Sequence, residues 1–473
     1  MEPQRVVDQA GVRGKGKTAA PPLMSRADRR AEGRALRKVA ARSSHGGWRP
    51  SAPRPDPIIL LKASSDDRLP QLIPIRYGRM LHSPFAFFRG AAVIMAADLA
   101  TTPVTGLHVQ ACGDCHLLNF GEFATPERHL TFDVNDFDET LPAPWEWDVK
   151  RFAASVAIAG REIGLGDGKG RTVVERTVRA YREAIADFAR MRALDVWYAR
   201  LDANTLVRLA KHHSTQRLFR KTAKQALAHT VNHIFPRLTE VTNGRRRILD
   251  ESPRVFHPSP GKSFEAETRS FLAAYRETLP VERRVLLDRY HFVDAAMKVV
   301  GVGSVGTRCS VALLLAADDD PLLLQIKEAR PSVLESYAGK SAFADPGERI
   351  VVGQRMMQAA SDIFLGWARG EDGRSYYLRQ LRDMKGAAHL DMMSRADLVE
   401  YAGFCAWALA RAHARTGDAA RIAGYLGTSA RFDRAIAEFA VAYADQNEAD
   451  YATFKKAVRA GRLHAEVETR KVK

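Results

Sequence analysis

The feature that most constrains this fold is a change of residue pattern near residue 290 that is reversed near residue 385. From about 172 to 286, apolar residues recur at helical spacing, interrupted by polar, basic connections such as 243–247. Short apolar runs then take over. Residues 296–300 and 307–315 predict strands on either side of a glycine run, and the turn 317–321 leads into a strand at 322–326. A helix is expected at 348–360, and a hairpin at 363–368 and 375–381 around 370–373. Helical spacing returns at 396–414 and 430–443. Upstream, 57–61 is a short apolar run, 83–100 reads as one buried helix and 105–111 as a strand. Residues 119–124 and 129–134 read as two strands joined by a polar turn, and 145–163 as a helix. A strand-rich segment enclosed by helical sequence predicts an α+β chain. Its small antiparallel-sheet lobe sits beside a mostly helical large lobe, built from pieces on both sides of that segment. The expected division is 1–55 as a disordered basic tail, 56–289 as a helical lobe, 290–385 as the strand-rich lobe, and 386–473 as helices completing the large lobe.

Composition narrows the function classes. The 473 residues carry a net charge of +17, which invites a nucleic-acid reading. Residues 1–55 hold 13 Lys and Arg against 4 Asp and Glu, so +9 lies there and +8 is spread over the rest. The tail's Arg, Gly, Ala and Pro content predicts disorder, with non-specific polyanion binding or simple solubilisation as its role. His212-His213 and Arg245-Arg246-Arg247 read as solvated charge, and no nucleic-acid motif is present. Four cysteines exclude a disulfide scaffold, and the Cys112/Cys115 pair lacks the second pair a zinc site needs. With no apolar run long enough to span a membrane and no signal-peptide pattern, a cytoplasmic protein is expected.

Two clusters carry chemistry. The first is Gly113-Asp114-Cys115-His116-Leu117-Leu118-Asn119, between two expected strands, followed by Asp136-Phe137-Asp138-Glu139. Phosphoryl transfer needs a carboxylate for the attacking hydroxyl and hard oxygen ligands for Mg²⁺. Asp114 suits the first task. Asn119 and Asp136 suit the second, with Asp133 and Asp138 as rival ligands. The heptad resembles the catalytic loop His-Gly-Asp-x-His-x-x-Asn of aminoglycoside and choline kinase-like phosphotransferases: Gly113, Asp114, His116 and Asn119 match, and Cys112 stands where that family has His. Asp136-Phe137-Asp138 resembles the metal-binding segment of the same fold, and Asp148 the aspartate that opens the next helix and braces the loop. The resemblance implies a kinase-like fold using ATP and Mg²⁺ on a small-molecule hydroxyl, with His116 shaping the loop and approaching the γ-phosphate or substrate.

The second cluster is Gly301-Val302-Gly303-Ser304-Val305-Gly306. A dinucleotide-binding helix should begin at the third glycine, but apolar strand-like sequence follows instead and ends, after one more strand, at Lys327. Gly301, Gly303, Ser304 and Gly306 would then let backbone N–H groups approach phosphates, and Lys327 would contact them. In the kinase-like fold a glutamate on a following helix holds that lysine. Glu348 is the first choice, with Glu335 and Glu328 as alternatives. Arg89 suits an anionic substrate group, or an ion pair with Asp136 or Asp138. These elements follow the catalytic-loop motif by about 190 residues, the reverse of the ordinary kinase order. Residues 407–414 resemble the helix that precedes the catalytic loop, so a circular permutation is expected. From residue 57 onward the chain also resembles DUF2252, a bacterial family of unknown function, through residues 83–90, 135–140, 354–359 and 422–427. The readings carried forward are an ATP- and Mg²⁺-dependent phosphotransferase, a nucleotide-binding pseudokinase or regulator, a nucleotidyl (AMP) transferase, and, last, a nucleic-acid-binding protein.

Overall fold

The structure, a computed structural model, describes residues 24–468 apart from 229, 259–260, 300, 318–319, 382–383, 385 and 388–389. The first 23 residues of the expected tail, and Asp318-Asp319 of the expected turn, lie outside the described residues.

The chain is a mixed α+β structure with several small antiparallel sheets. The largest has six strands in the order Gly366–Arg369, Ser375–Gln380, Pro321–Ala329, Cys309–Leu315, His291–Lys298 and Val255–Phe256. Its two central strands, Pro321–Ala329 and Cys309–Leu315, are mostly apolar runs because both faces are covered. Along Cys309–Leu315, Val311 and Leu313 face a cluster with Phe235 and Ile248, whereas Ala312 and Leu314 face one with Phe271 and Tyr275. The covering pieces are the Val231–Leu238 helix with its following hairpin on one face, and the Gly261–Thr278 helix on the other. The lobe boundary expected at residue 290 therefore moves back to about 231. The expected all-helical stretch contains a hairpin, Thr239–Thr242 with Arg245–Ile248, turned at Asn243-Gly244, where both residues have positive φ. That dipeptide is a favoured two-residue hairpin turn, and the polar, basic connection of the sequence is this turn and strand.

The long helices outside this sheet share one core. Trp145–Glu162 runs through its centre, buried from Trp145 to Gly160, and is flanked by Asp167–Phe188, Arg395–Thr416 and Arg431–Arg459. The expected 83–100 helix is two helices, Pro84–Gly90 and Ala92–Leu99. The break falls where Gly90 packs under Met80 and its carbonyl accepts from Arg76 Nη2 at 2.8 Å.

The disordered-tail expectation is corrected from residue 26 onward. Arg26–Ala35 is a helix capped by Ser25 and docked against Ala419–Leu426. Gly33 and Gly424 each face the partner helix's backbone so closely that a side chain at either would collide with a carbonyl. Arg37 donates to the carbonyls of Gly424 and Tyr425 at 2.7 and 2.9 Å, and Arg42 to that of Leu426 at 2.7 Å. Part of the basic charge therefore caps a helix C-terminus. Among the described residues no helix is long and apolar enough to cross a membrane.

Candidate functional site

Two short antiparallel pairings set the site. His108–Ala111 pairs with Leu141–Pro144, and Phe120–Ala124 with Leu130–Val134. Loop 112–119 leaves the first pair and enters the second, and loop 135–140 returns the other way, so the two loops lie side by side. Asn135 N–H donates to Asn119 O at 2.8 Å. Asn119 Nδ2 donates to Asp114 O at 2.7 Å, which leaves the amide oxygen as its acceptor. Asp148 braces the loop from below: its carboxylate accepts from the N–H groups of Cys112 at 2.6 Å and Gly113 at 2.9 Å. His413 Nε2 lies 3.2 Å from the same carboxylate, so a histidine from another helix stands beside the brace where the loop itself carries Cys112.

Asp114, His116, Asn119, Asp136 and Asp138 line one cleft of about 400 Å³ together with Gly301, Gly303, Ser304 and Arg89. Gly306 sits just behind, its carbonyl accepting from Leu69 N–H at 2.8 Å. Lys327 reaches the same place from the sheet: Nζ donates to Asp138 Oδ2 at 2.8 Å and lies 5.1 Å from the Tyr377 ring centre. Tyr377 OH donates to Asp138 Oδ1 at 2.6 Å, and Ser304 Oγ to Oδ2 at 3.3 Å. Burial alone would lower the lysine's proton affinity. Asp138, then Tyr377 and Asp136, raise it well above its ordinary value. Burial pushes the Asp138 carboxyl up, but Lys327 outweighs it and holds Asp138 below the usual range.

Several expectations are corrected here. Lys327 pairs with Asp138 and not with Glu348. On the helix Pro346–Met357, capped by Asp345, Arg349 and not Glu348 occupies the buried position. One residue is about 100° of rotation on a helix. Arg349 Nη2 donates to the carbonyls of Asp138 and Arg330, each at 2.8 Å, and Nη1 to that of Thr140. Glu335 bonds Ser332 N–H, and Glu328 points to the opposite sheet face, where it meets Arg308 and Arg374. Asp133 is removed from the ligand choice, because it is buried in an ion pair with Arg411 at 2.6 Å. Arg89 forms no ion pair with Asp136 or Asp138, and its Nε is buried without an acceptor among the described residues.

Other site residues carried no local motif. Arg151, one helical turn after Asp148, donates Nε to Asp114 Oδ1 at 2.6 Å. Its only sequence signal is the i, i+3 spacing that puts both on one helix face. Burial raises the Asp114 carboxyl despite Arg151. Burial, with Arg89 and Arg151 nearby, drives the His116 imidazole far below its ordinary value, so it is neutral. All four cysteines are free and buried. The hydrogen bond to Cys115, together with burial, pushes the Cys112 thiol well up, which leaves it unreactive.

A model of the family described as "Uncharacterized protein conserved in bacteria (DUF2252)" matches residues 68–457. The chain belongs to this family. No curated protein and no solved structure matches it. The DUF2252 description assigns no reaction, so function rests on the cleft. Among the described residues no group of three or more His, Cys, Asp or Glu is placed to hold a metal ion. The oxygen donors available are the Asn119 amide and the Asp136 carboxylate. That set suits a hard cation which keeps waters and shares phosphate oxygens, and does not suit zinc.

Proposed function

We propose that this DUF2252 protein is an ATP- and Mg²⁺-dependent phosphotransferase of circularly permuted, kinase-like fold, acting on a small-molecule hydroxyl. The observation that carries the reading is convergence: Asp114, Asn119 and Asp136 line one cleft beneath a glycine turn, and Lys327 comes from a distant strand to pair with Asp138 in its wall. The permutation is supported at its expected junction. Gln110 N–H donates to Thr416 Oγ1 at 3.2 Å, and a side chain at Gly417 would lie 2.6 Å from Val109. The end of the Arg395–Thr416 helix thus abuts the strand that leads into loop 112–119, as direct continuity would require.

In this reading Asp114 accepts the acceptor's hydroxyl proton. The acceptor oxygen forms a bond to the γ-phosphorus as the bond to the β-phosphate bridge breaks, and ADP leaves. Lys327 and the backbone N–H groups of the glycine turn hold the phosphates. Asn119 and Asp136 would hold Mg²⁺, which when bound supplies charge neutralisation at the phosphates. Arg151 fixes the Asp114 carboxylate, and neutral His116 shapes the loop. The Asp114–Arg151 pair also favours a second reading, a nucleotide-binding pseudoenzyme, because the guanidinium occupies a carboxylate oxygen that an acceptor hydroxyl would have to reach. A mass gain of AMP on a product, in place of phosphate, would identify nucleotidyl transfer.

The test is calorimetric titration of ATP with and without Mg²⁺, followed by a turnover assay. Asp136→Ala is expected to weaken Mg²⁺-dependent binding about tenfold or more, equivalent to about 1.4 kcal/mol. Asp114→Asn is expected to keep binding and lose transfer. No ATP binding by the wild type, or equal affinity in Asp136→Ala, refutes the assignment.

A further inference from the structure

The cleft has a second wall that phosphoryl transfer leaves unused. It is built by the segment 64–68 and the Ile73–Met80 helix, with residue 330 at the end of the central strand. Arg76 is 1% exposed. Its Nη1 donates to Ser65 Oγ and its Nη2 to Gly90 O, both at 2.8 Å, and its Nε is buried without an acceptor among the described residues. Arg68 donates to Ser64 O at 3.0 Å and Val305 O at 2.6 Å. Arg330 donates to Ser64 O at 3.2 Å. All of these partners are uncharged, and none of the three arginines forms an ion pair among the described residues.

Burial lowers the proton affinity of Arg76, to about 10, and of Arg68, whose neighbours Arg76 and Arg330 lower it further. The two carboxylates nearby do not neutralise the group. Glu328 is engaged by Arg308 and Arg374. Glu139 accepts from Val333 N–H at 2.7 Å, and burial pushes its carboxyl up toward the neutral form. Arginine charge is ordinarily buried only against a counter-charge. Three guanidinium groups on one wall, held by carbonyls and hydroxyls, form a preorganised receptor for an external anion. The unpaired Nε of Arg89 lies in the same cleft, beside Asp114 and Asp136.

We propose that the acceptor carries a fixed anionic group, a phosphate monoester or a carboxylate, seated on Arg68, Arg76 and Arg330 with its hydroxyl directed to Asp114. The substrate class is then a small hydroxylated anion. This rests on the phosphotransferase reading for the role of the anion, but not for its binding.

The two parts separate experimentally. Full-length protein, with and without saturating Mg²⁺ and a non-hydrolysable ATP analogue, is titrated calorimetrically with inorganic phosphate and, separately, with acetate. The wild type is expected to bind one of these probes with the analogue present. Arg330→Gln and Arg68→Gln, both less buried than Arg76, are expected to weaken that binding about tenfold or more, and Arg192→Gln, at an exposed arginine outside the cleft, to leave it unchanged. The tighter probe identifies the anion class. Binding equal to wild type in both arginine variants overturns the proposal, as does loss of phosphate binding once the analogue is bound. So does a wild type that binds neither probe. Arginine-dependent anion binding in a protein that binds no nucleotide would keep the anion site and refute the phosphotransferase reading.

Discussion

The Lys327–Asp138 pair makes a quantitative demand, because its two partners differ in burial. The lysine side chain is 4% exposed and the aspartate 29%. Removing one partner of a buried pair costs about 3–5 kcal/mol, mostly the penalty of the charge left behind. In Asp138→Asn the stranded charge is the deeper one. Its escape is to lose the proton, which at pH 7 costs about 4.6 kcal/mol from an ordinary lysine value, so the loss is expected at about 3–4 kcal/mol. In Lys327→Met the stranded carboxylate keeps the hydroxyls of Tyr377 and Ser304 and some solvent, so about 2 kcal/mol is expected. The double variant strands neither charge, so its loss should fall short of the sum by about 2 kcal/mol. Denaturant unfolding of the four proteins, compared at equal slope, measures each term. Additivity within about 0.5 kcal/mol, or Lys327→Met costing more than Asp138→Asn, refutes the pairing. The cycle also calibrates any nucleotide-binding experiment on Lys327, by separating lost stability from lost contacts.

Three further outcomes follow from the same geometry. Glu122 is 1% exposed, both carboxylate oxygens lack partners among the described residues, and burial raises its carboxyl from 4.5 to about 8. The folded state then binds the extra proton between those values, so stability falls as pH rises through that window. Glu122→Gln should gain on the order of 4 kcal/mol over wild type at pH 8.5 and little at pH 4.5, and a difference independent of pH refutes this. Replacing Arg37 and Arg42 together by alanine should cost about 1–3 kcal/mol, because three helix-terminal carbonyls lose their donors; an unchanged melting temperature would show that this stretch is not docked. Asp148→Asn should speed hydrogen exchange at the Cys112 and Gly113 amides while distant core amides stay protected, and equal protection would remove Asp148 as the brace.

Elements set by local pattern were legible in the sequence. The 322–326 run, the two strands around the loop motif and the 145–163 helix all appear within a few residues of their expected places. That Asp114, Asn119 and Asp136 lie together at one cleft was legible because their spacing survives in one short stretch. What escaped depends on tertiary register. Glu348 and Arg349 are neighbours in sequence and about 100° apart around the helix, so periodicity alone could not choose which turns inward. The arginines at 37 and 42 read as part of a disordered basic tail because their partners, the carbonyls of 424–426, lie almost 390 residues away. Arg151 and His413 carried no motif at all. Each is recognisable only once the aspartate it serves has been placed.

The inverted order of the two motifs costs the geometry nothing, and the reason is visible in how the cleft is fastened. Loops 112–119 and 135–140 are flanked by strand pairings within residues 108–144, to which Leu201–Asp202 and Gly386–Ala387 add edge strands. Lys327 is fixed by a sheet whose core strands lie within 291–380. Neither unit needs the other to come first. They need only be seated together, and that is done by side chains: Arg349 to the Asp138 carbonyl, Tyr377 to the Asp138 carboxylate, and Arg379 to the Asn135 carbonyl. Arg411 completes the set by joining Asp133 to the Met357 carbonyl at the end of the Pro346–Met357 helix. These ties cross the cleft without using a backbone connection. A chain break can therefore be moved along the sequence as long as the residues making these ties keep their places. The buried arginines at 349 and 411, and not the order of the segments, are then the positions at which substitution should disorganise the cleft most.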